Sequence, residues 1–104
     1  AKRRRLFGAD GMSFPNYGGR FSYARELCQA FARHNTQAWH ELHPTLPTPA
    51  GGMSIERAGE IVREYGRDSM LLIGGALLAE HEQLAARSTE FVNAVAAAAE
   101  AVTA

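Results

Sequence analysis

Three short apolar runs alternate with three segments of helical period along this sequence of 104 residues. Such alternation is typical of βαβ units, in which helices join parallel strands and pack against the sheet. We predict strands over about residues 10–14, 46–50 and 69–73, and helices over about residues 21–33, 54–65 and 82–102. The pattern therefore indicates an α/β fold built on a parallel sheet.

The predicted strands differ in how well their residues suit a sheet. The run from Ser69 to Ile73 is the clearest, because a continuous apolar run is typical of a parallel strand buried on both faces. Residues 46–50 are less regular, since Pro47 and Pro49 have no N–H group to donate to a neighbouring strand. Prolines in these positions ordinarily confine a strand to the edge of a sheet.

Composition and charge exclude several classes of partner. Apolar residues make up 46% of the chain, and eleven Lys and Arg balance eleven Asp and Glu, so no overall positive field attracts nucleic acid or a membrane surface. The longest stretch without charges or prolines, residues 69–79, is about half of the roughly 20 residues that cross a bilayer. The single cysteine, Cys28, favours a reducing compartment. We therefore expect a cytoplasmic protein with no nucleic-acid and no membrane partner.

Glycine pairs follow the second and third predicted strands, at Gly51-Gly52 and Gly74-Gly75. Because glycine has no Cβ, backbone N–H groups at such turns can approach and bind an anion, and a following helix N-terminus adds a favourable dipole. In barrels of alternating strands and helices, the loops after the seventh and eighth strands often bind phosphate. Two alternatives therefore stay open, a phosphate site and two tight turns.

The loop after the first strand, residues 15–20, lies at the same carboxyl end of the predicted sheet. Arg20 offers a bidentate fork to a second phosphate or a carboxylate, and Asn16 offers an amide to a hydroxyl group. Both are candidate substrate contacts. The alternatives are an arginine exposed near a helix start and an asparagine that only forms a turn.

Other polar residues give weaker indications of chemistry. His40 and His43 have helical spacing, but the proline that follows them ends any helix, and His81 is expected to be structural. Cys28 lies on an apolar stripe and is expected to be a core residue. The basic run over residues 2–5 is best explained as a solvated helix end. We assign no catalytic residue and no metal ligand within this chain.

The block from Leu46 to Ala76 resembles the seventh and eighth βα units of the large chain of ribulose bisphosphate carboxylase/oxygenase (RuBisCO) and of the RuBisCO-like proteins. The shared motifs are Leu46-Pro47, Gly51-Gly52, Gly66-Arg67-Asp68-Ser69 and Gly74-Gly75. Upstream, Gly8-Ala9-Asp10 and residues 14–22 resemble the sixth strand and loop of the RuBisCO-like branch. The resemblance implies an α/β fold that is a partial (β/α)8 (TIM) barrel, comprising about its last three βα units.

The resemblance also implies a site and a type of reaction. The substrate phosphate would be bound at Gly51, Gly52, Gly74 and Gly75. A serine that contacts substrate in the carboxylases is replaced here by Ala50, and the loop after the first strand lacks their catalytic lysine. These departures favour a RuBisCO-like enolase, isomerase or decarboxylase that acts on a phosphorylated ketose or keto acid by enolisation.

A whole barrel takes about 250 residues, so this chain can supply only about three of its eight units. We therefore expect the carboxyl-terminal part of a longer polypeptide, inactive alone, whose partners are the rest of the barrel, a phosphorylated substrate and a second subunit in a homodimer. By resemblance, the enzyme uses magnesium, with ligands outside this chain. The alternative is a stand-alone interaction module without catalytic activity that binds a partner through its long final helix.

Overall fold

The first two predicted strands are parallel neighbours in the computed structural model, which describes residues 2–19 and 22–102. Strand β1 spans Gly11–Pro15 and strand β2 spans Leu46–Ala50. The helices are α1 (Lys2–Leu6), α2 (Arg25–Thr36), α3 (Ala58–Tyr65), α4 (Gly75–Leu78) and α5 (Leu84–Ala101). Within these residues, no helix has the length and apolar character that a membrane span requires. The predicted α/β class is confirmed.

The prediction of a regular third strand over residues 69–73 is wrong. In the described part of the chain, this third segment joins the sheet through one parallel bridge, between Leu72 and Ala50. The N–H of Met70 also donates to the carbonyl of Pro47 at 3.0 Å. The third segment therefore lies beside β2 in the parallel direction, but it does not form a ladder.

The prolines of β2 explain why that ladder is missing. The N–H of Leu46 bonds to Asp10, and the carbonyl of Ala50 accepts from Asn16, so these groups face the β1 side. Because a strand alternates its bonding side from residue to residue, Pro47 and Pro49 face the third segment. Neither proline has an N–H to donate to that segment. Strand β2 is therefore fully hydrogen-bonded on the side that faces β1 and not on the other side.

Helix α2 begins at Arg25, later than the predicted start at residue 21, which lies outside the described residues. Residues 22–24 are not helical, and Ala24 has an extended backbone with φ −62° and ψ 147°. The apolar stripe identifies the buried face, which includes the fully buried Cys28. The stripe does not indicate at which residue the helix begins. No capping side chain marks that residue either, because Ala24 makes no side-chain hydrogen bond to the first turn.

Arg5 accounts for the end of α2, three residues beyond the predicted end at residue 33. Its side chain is buried, with 3% exposure for the residue, so the prediction of a solvated basic run is wrong at this position. Carbonyl groups in the last turn of a helix lack partners within the helix. Arg5 donates at 2.8 to 3.2 Å to the carbonyls of His34, Gln37, Leu42 and His43.

The other two helices start later than predicted because their first turns are tighter than an α-helix. The N–H of Arg57 donates to the carbonyl of Ser54 at 3.2 Å, so residues 54–57 form a turn and α3 begins at Ala58 instead of residue 54. A 3₁₀ turn over His81–Gln83 likewise precedes α5, for which residues 82–102 were expected. Helix α3 ends at Gly66, where φ is 79°, as its glycine predicts.

Two hydrophobic clusters hold the helices against the strands. Met12 and Phe14 of β1 pack with Cys28 of α2, whose thiol donates to the carbonyl of Pro15 at 3.4 Å. The second cluster lies between α3 and α5 and contains Met53, Ala58, Ile61 and Phe91. Cys28 is thus a core residue, as predicted.

Candidate functional site

The two diglycine turns line one cleft at the carboxyl ends of β2 and the third segment. The cleft has a volume of about 530 Å³. Its lining residues are Gly51, Gly52, Met53, Leu72, Ile73, Gly74, Gly75 and Ala76. The expectation that the two turns meet at the same edge of the sheet is therefore confirmed.

The two turns differ in backbone conformation. Gly51 and Gly52 have φ values of 95° and 67°, in the left-handed region that disfavours residues with a Cβ atom. Gly74 has φ −139°, and a Cβ atom on either Gly74 or Gly75 would meet no other atom within 4 Å. The first turn therefore requires glycine for its backbone shape, whereas the second leaves open space at the Cβ positions of Gly74 and Gly75.

The prediction that a helix N-terminus after each glycine pair adds a favourable dipole is wrong. Helix α4, which follows Gly74, has four residues, and α3 begins only at Ala58, six residues after Gly52. A short helix has a small macrodipole, and the effect falls off beyond the first turn. Anion binding in this cleft would consequently depend on individual backbone N–H groups.

The loop after β1, residues 16–19, packs directly on the turn formed by Gly51 and Gly52. A Cβ atom on Gly52 would lie 2.7 Å from the Cα atom of Gly19, and one on Gly19 would lie 3.0 Å from the carbonyl carbon of Gly51. Real Cβ atoms essentially never come within 3.0 Å of another atom, so position 52 requires glycine, whereas a Cβ atom at position 19 would force the neighbouring turn to shift by a few tenths of an ångström. The sequence alone does not predict this close packing of Gly19, for which the local sign is its place in a Gly18-Gly19 pair.

Asn16 is a buried part of this region, with 1% exposure, and lines a second cavity of about 400 Å³ that shares Gly51 and Gly52 with the first. Its N–H donates to the carbonyl of Ala50 at 2.8 Å, and its side-chain oxygen accepts from the hydroxyl of Tyr65 at 2.7 Å. Within the described residues its side-chain nitrogen has no hydrogen-bond partner. Arg20, the other candidate substrate contact, lies outside the described residues.

Arg57 joins the loop after β1 to the turn after β2. Its guanidinium donates to the carbonyl of Gly52 at 3.0 Å and to the carbonyl of Tyr17 at 3.2 Å. It also forms an ion pair with Glu60 at 3.3 Å. This role of Arg57 is not predicted from the sequence, in which the local sign is the spacing of three between Arg57 and Glu60, typical of helical ion pairs.

The ring of Tyr17 contacts two guanidinium groups, because the Cζ atoms of Arg25 and Arg57 lie 5.3 and 5.2 Å from its centre. Its hydroxyl donates to Glu60 at 2.9 Å. Burial, together with the adjacent Glu60 carboxylate, raises the pKa of Tyr17 to about 12. The hydrogen bond from Arg57 in turn lowers the pKa of Glu60. At neutral pH the tyrosine is therefore a neutral donor beside two cations and one carboxylate.

The lining of the diglycine cleft determines what chemistry it can perform. Every side chain among its described lining residues is apolar or absent, so the polar groups that it offers are those of the backbone. Amide N–H groups bind anions but do not exchange protons with a substrate at neutral pH. The geometry therefore suits anion binding rather than proton transfer.

A magnesium site is not formed by the residues that the structure describes. They contain no group of three or more His, Cys, Asp and Glu side chains close enough to hold a metal ion. The described residues thus cannot hold a magnesium ion by themselves, and the resemblance assigns the magnesium ligands to positions outside this chain.

Comparison with known proteins finds relatives over most of the chain, although no protein-family model matches it. It is 52% identical over 92 residues to ribulose bisphosphate carboxylase-like protein 1 of Rhodopseudomonas palustris. It is 50% identical over 95 residues to the 5-methylthioribulose-1-phosphate isomerase of Rhodospirillum rubrum. These alignments cover 88% and 91% of this chain, but only 25% of each relative. The chain therefore spans about a quarter of the length of these curated relatives.

The fold agrees with the sequence comparison. The structure matches the crystal structure of a RuBisCO-like protein from Rhodopseudomonas palustris with a TM-score of 0.81 and 43% sequence identity, over 92% of this chain and 25% of the other. In sequence and in fold, this chain corresponds to the carboxyl-terminal part of RuBisCO-like proteins, which are a branch of the RuBisCO large-chain family.

Proposed function

We propose that this chain is the carboxyl-terminal segment of a RuBisCO-like enzyme that acts on a phosphorylated ketose or keto acid by enolisation. Its own contribution is the site for the substrate phosphate, bound by backbone amides of Gly51, Gly52, Gly74 and Gly75. The observation that carries the proposal is the one cleft that both diglycine turns line.

The chemistry of the cleft supports this assignment. Turns with exposed backbone N–H groups form concave anion sites without any cationic side chain. Gly51 and Gly52 are exposed to solvent, and nothing within 4 Å occupies the Cβ positions of Gly74 and Gly75. A phosphate oxygen therefore has room to approach the amides of both turns.

Two observations favour a reaction other than carboxylation. Ala50 stands where the carboxylases have a serine that contacts substrate, and half of the aligned residues are identical to an isomerase of 5-methylthioribulose 1-phosphate. Isomerisation of a ketose phosphate requires proton transfer at the carbon atom next to a carbonyl group. The apolar side chains that line this cleft cannot transfer protons. The groups that transfer protons, and any magnesium ligands, would then belong to the rest of the polypeptide.

We further propose that the chain forms about the last three βα units of a (β/α)8 barrel. In the described residues β1 pairs with β2 alone, and Met70 and Leu72 of the third segment are half-exposed. Open strand edges and exposed apolar side chains are expected where neighbouring barrel strands are missing. A second subunit would complete a homodimer.

The phosphate assignment is tested by adding a negative charge at Gly75 in the intact polypeptide that contains this chain. Gly75→Asp places a carboxylate in open space beside the cleft, so its main effect should be repulsion of the phosphate. We expect the affinity for 5-methylthioribulose 1-phosphate, measured by calorimetry, to fall by about a hundredfold or more.

Gly75→Asn is the matched control, because it has nearly the same size and no charge. It should lose far less affinity than Gly75→Asp. Binding of unphosphorylated 5-methylthioribulose should change equally in the two variants. Equal affinity of Gly75→Asp and the unsubstituted protein for the phosphorylated compound would refute the assignment.

A further inference from the structure

We propose that Arg57 is a positioning residue for the phosphate site, which holds the turn after β2 in its binding conformation by fastening it to the loop after β1. The inference rests on the proposed function, because it concerns the turn that carries the Gly51 and Gly52 amides, and it adds the N–H of Met53 to the donors of that turn. It adds a residue outside the cleft on which the affinity for phosphate depends.

The hydrogen bonds of Arg57 reach both segments from one planar group. One terminal nitrogen donates to the carbonyl of Gly52 at 3.0 Å, and the other donates to the carbonyl of Tyr17 at 3.2 Å. These two carbonyls belong to segments that are more than thirty residues apart in the sequence. A single guanidinium therefore sets the distance between the loop and the turn.

The packing around the guanidinium leaves it little freedom to move. A Cβ atom on Gly18 would lie 3.2 Å from one of its terminal nitrogens, so the loop backbone rests directly on the group. The centre of the Tyr17 ring lies 5.2 Å from Cζ, the central carbon of the Arg57 guanidinium. Glu60 accepts hydrogen bonds from Nε and from a terminal nitrogen at 3.4 and 3.3 Å. Arg57 is thus itself oriented by three independent contacts.

The bond to Gly52 has a direct consequence for backbone donors. A trans peptide is planar, and no cis peptide occurs in the described residues, so the N–H of Met53 points opposite to the Gly52 carbonyl. Fixing that carbonyl therefore fixes the orientation of the Met53 N–H, on a residue that lines the cleft. Glycine is the most flexible residue type, and two successive glycines would otherwise sample many conformations.

Lysine cannot replace this arrangement fully. A guanidinium presents several N–H donors in a rigid plane, whereas an ammonium on a flexible stem is a single point charge. Lysine at position 57 would retain the charge, but its single nitrogen cannot occupy the positions of both terminal nitrogens that contact the two carbonyls. The order of affinity for phosphate should therefore be arginine, then lysine, then glutamine.

The experiment compares Arg57→Gln and Arg57→Lys with the unsubstituted protein, each as the intact polypeptide. Binding of 5-methylthioribulose 1-phosphate is measured by calorimetry, and exchange of backbone amide hydrogens is measured by mass spectrometry. We expect Arg57→Gln to weaken binding roughly tenfold or more, with Arg57→Lys intermediate. Exchange should accelerate in both residues 16–19 and residues 51–53.

Arg63→Gln is the control, because Arg63 is an exposed arginine in α3, the helix that begins directly after Arg57; binding and exchange should stay unchanged. A merely structural role would lower thermal stability without altering affinity for the phosphorylated compound relative to unphosphorylated 5-methylthioribulose. Unchanged relative affinity in Arg57→Gln, or unchanged exchange in the two segments, overturns the inference. Failure of the proposed function would differ, because the unsubstituted protein itself would then show no preference for the phosphorylated compound.

Discussion

Gly19 and Gly52 touch through their backbones, since a Cβ atom on Gly52 would lie 2.7 Å from the Cα atom of Gly19. This contact places the loop after β1 against the turn that begins the proposed phosphate site. The absence of two side chains is therefore as important to the site as any side chain that is present.

Gly52→Ala should lower stability and substrate affinity together. The methyl group meets the backbone of Gly19, and φ of 67° is strained for alanine, so we expect a loss of about 2 kcal/mol or more in the free energy of unfolding. Gly75→Ala is the matched control, because its methyl group would meet no atom within 4 Å. Urea denaturation of the intact variants measures the difference, and equal stability of the two would contradict this contact.

Arg5→Met should destabilise the protein although no carboxylate partner is lost. Four backbone carbonyls would lose their donor in a buried site, which we expect to cost about 2 to 4 kcal/mol. Arg4→Met removes a neighbouring but exposed arginine and should change stability by less than about 0.5 kcal/mol. If chemical denaturation gives the same midpoint for both variants, Arg5 does not hold the end of α2.

The ion pair between Arg25 and Glu64 predicts a dependence of stability on pH. The hydrogen bond from Arg25 lowers the pKa of Glu64 below its ordinary value of 4.5, so the folded state binds protons less readily than the unfolded state. The pair therefore contributes stability above pH 4.5, and this contribution is lost as the pH falls through the lowered pKa.

Glu64→Gln should accordingly be less stable than the unsubstituted protein at pH 7, with a difference that shrinks as the pH falls below 4.5. Glu41→Gln, at an exposed position, is the control and should show little difference at either pH. Thermal melts across this range provide the measurement. A difference that is constant with pH would rule out the ion pair as its cause.

The parts of the fold that depend on local pattern could be predicted from the sequence. The strands around Met12 and Thr48 follow from short apolar runs between turns, and Gly66 marks the end of α3. Parallel strands end at one edge of a sheet, which is why Gly51 and Gly74 could be placed together without coordinates.

The remaining features depend on contacts between distant residues. The end of α2 is determined by Arg5, which lies about thirty residues earlier. The missing ladder of the third segment depends on which side Pro47 and Pro49 face, and this is known only once the register with β1 is known. Arg57 could not be assigned because its acceptors, Gly52 and Tyr17, are brought together only by the fold.

The most direct test of the central claim is a crystal structure of the intact polypeptide with 5-methylthioribulose 1-phosphate bound. We predict that the phosphorus atom lies in the cleft between Gly51–Gly52 and Gly74–Gly75, with its oxygens within hydrogen-bond distance of backbone amides from both turns. A phosphate bound elsewhere in the barrel, with neither glycine turn in contact with it, would contradict the account.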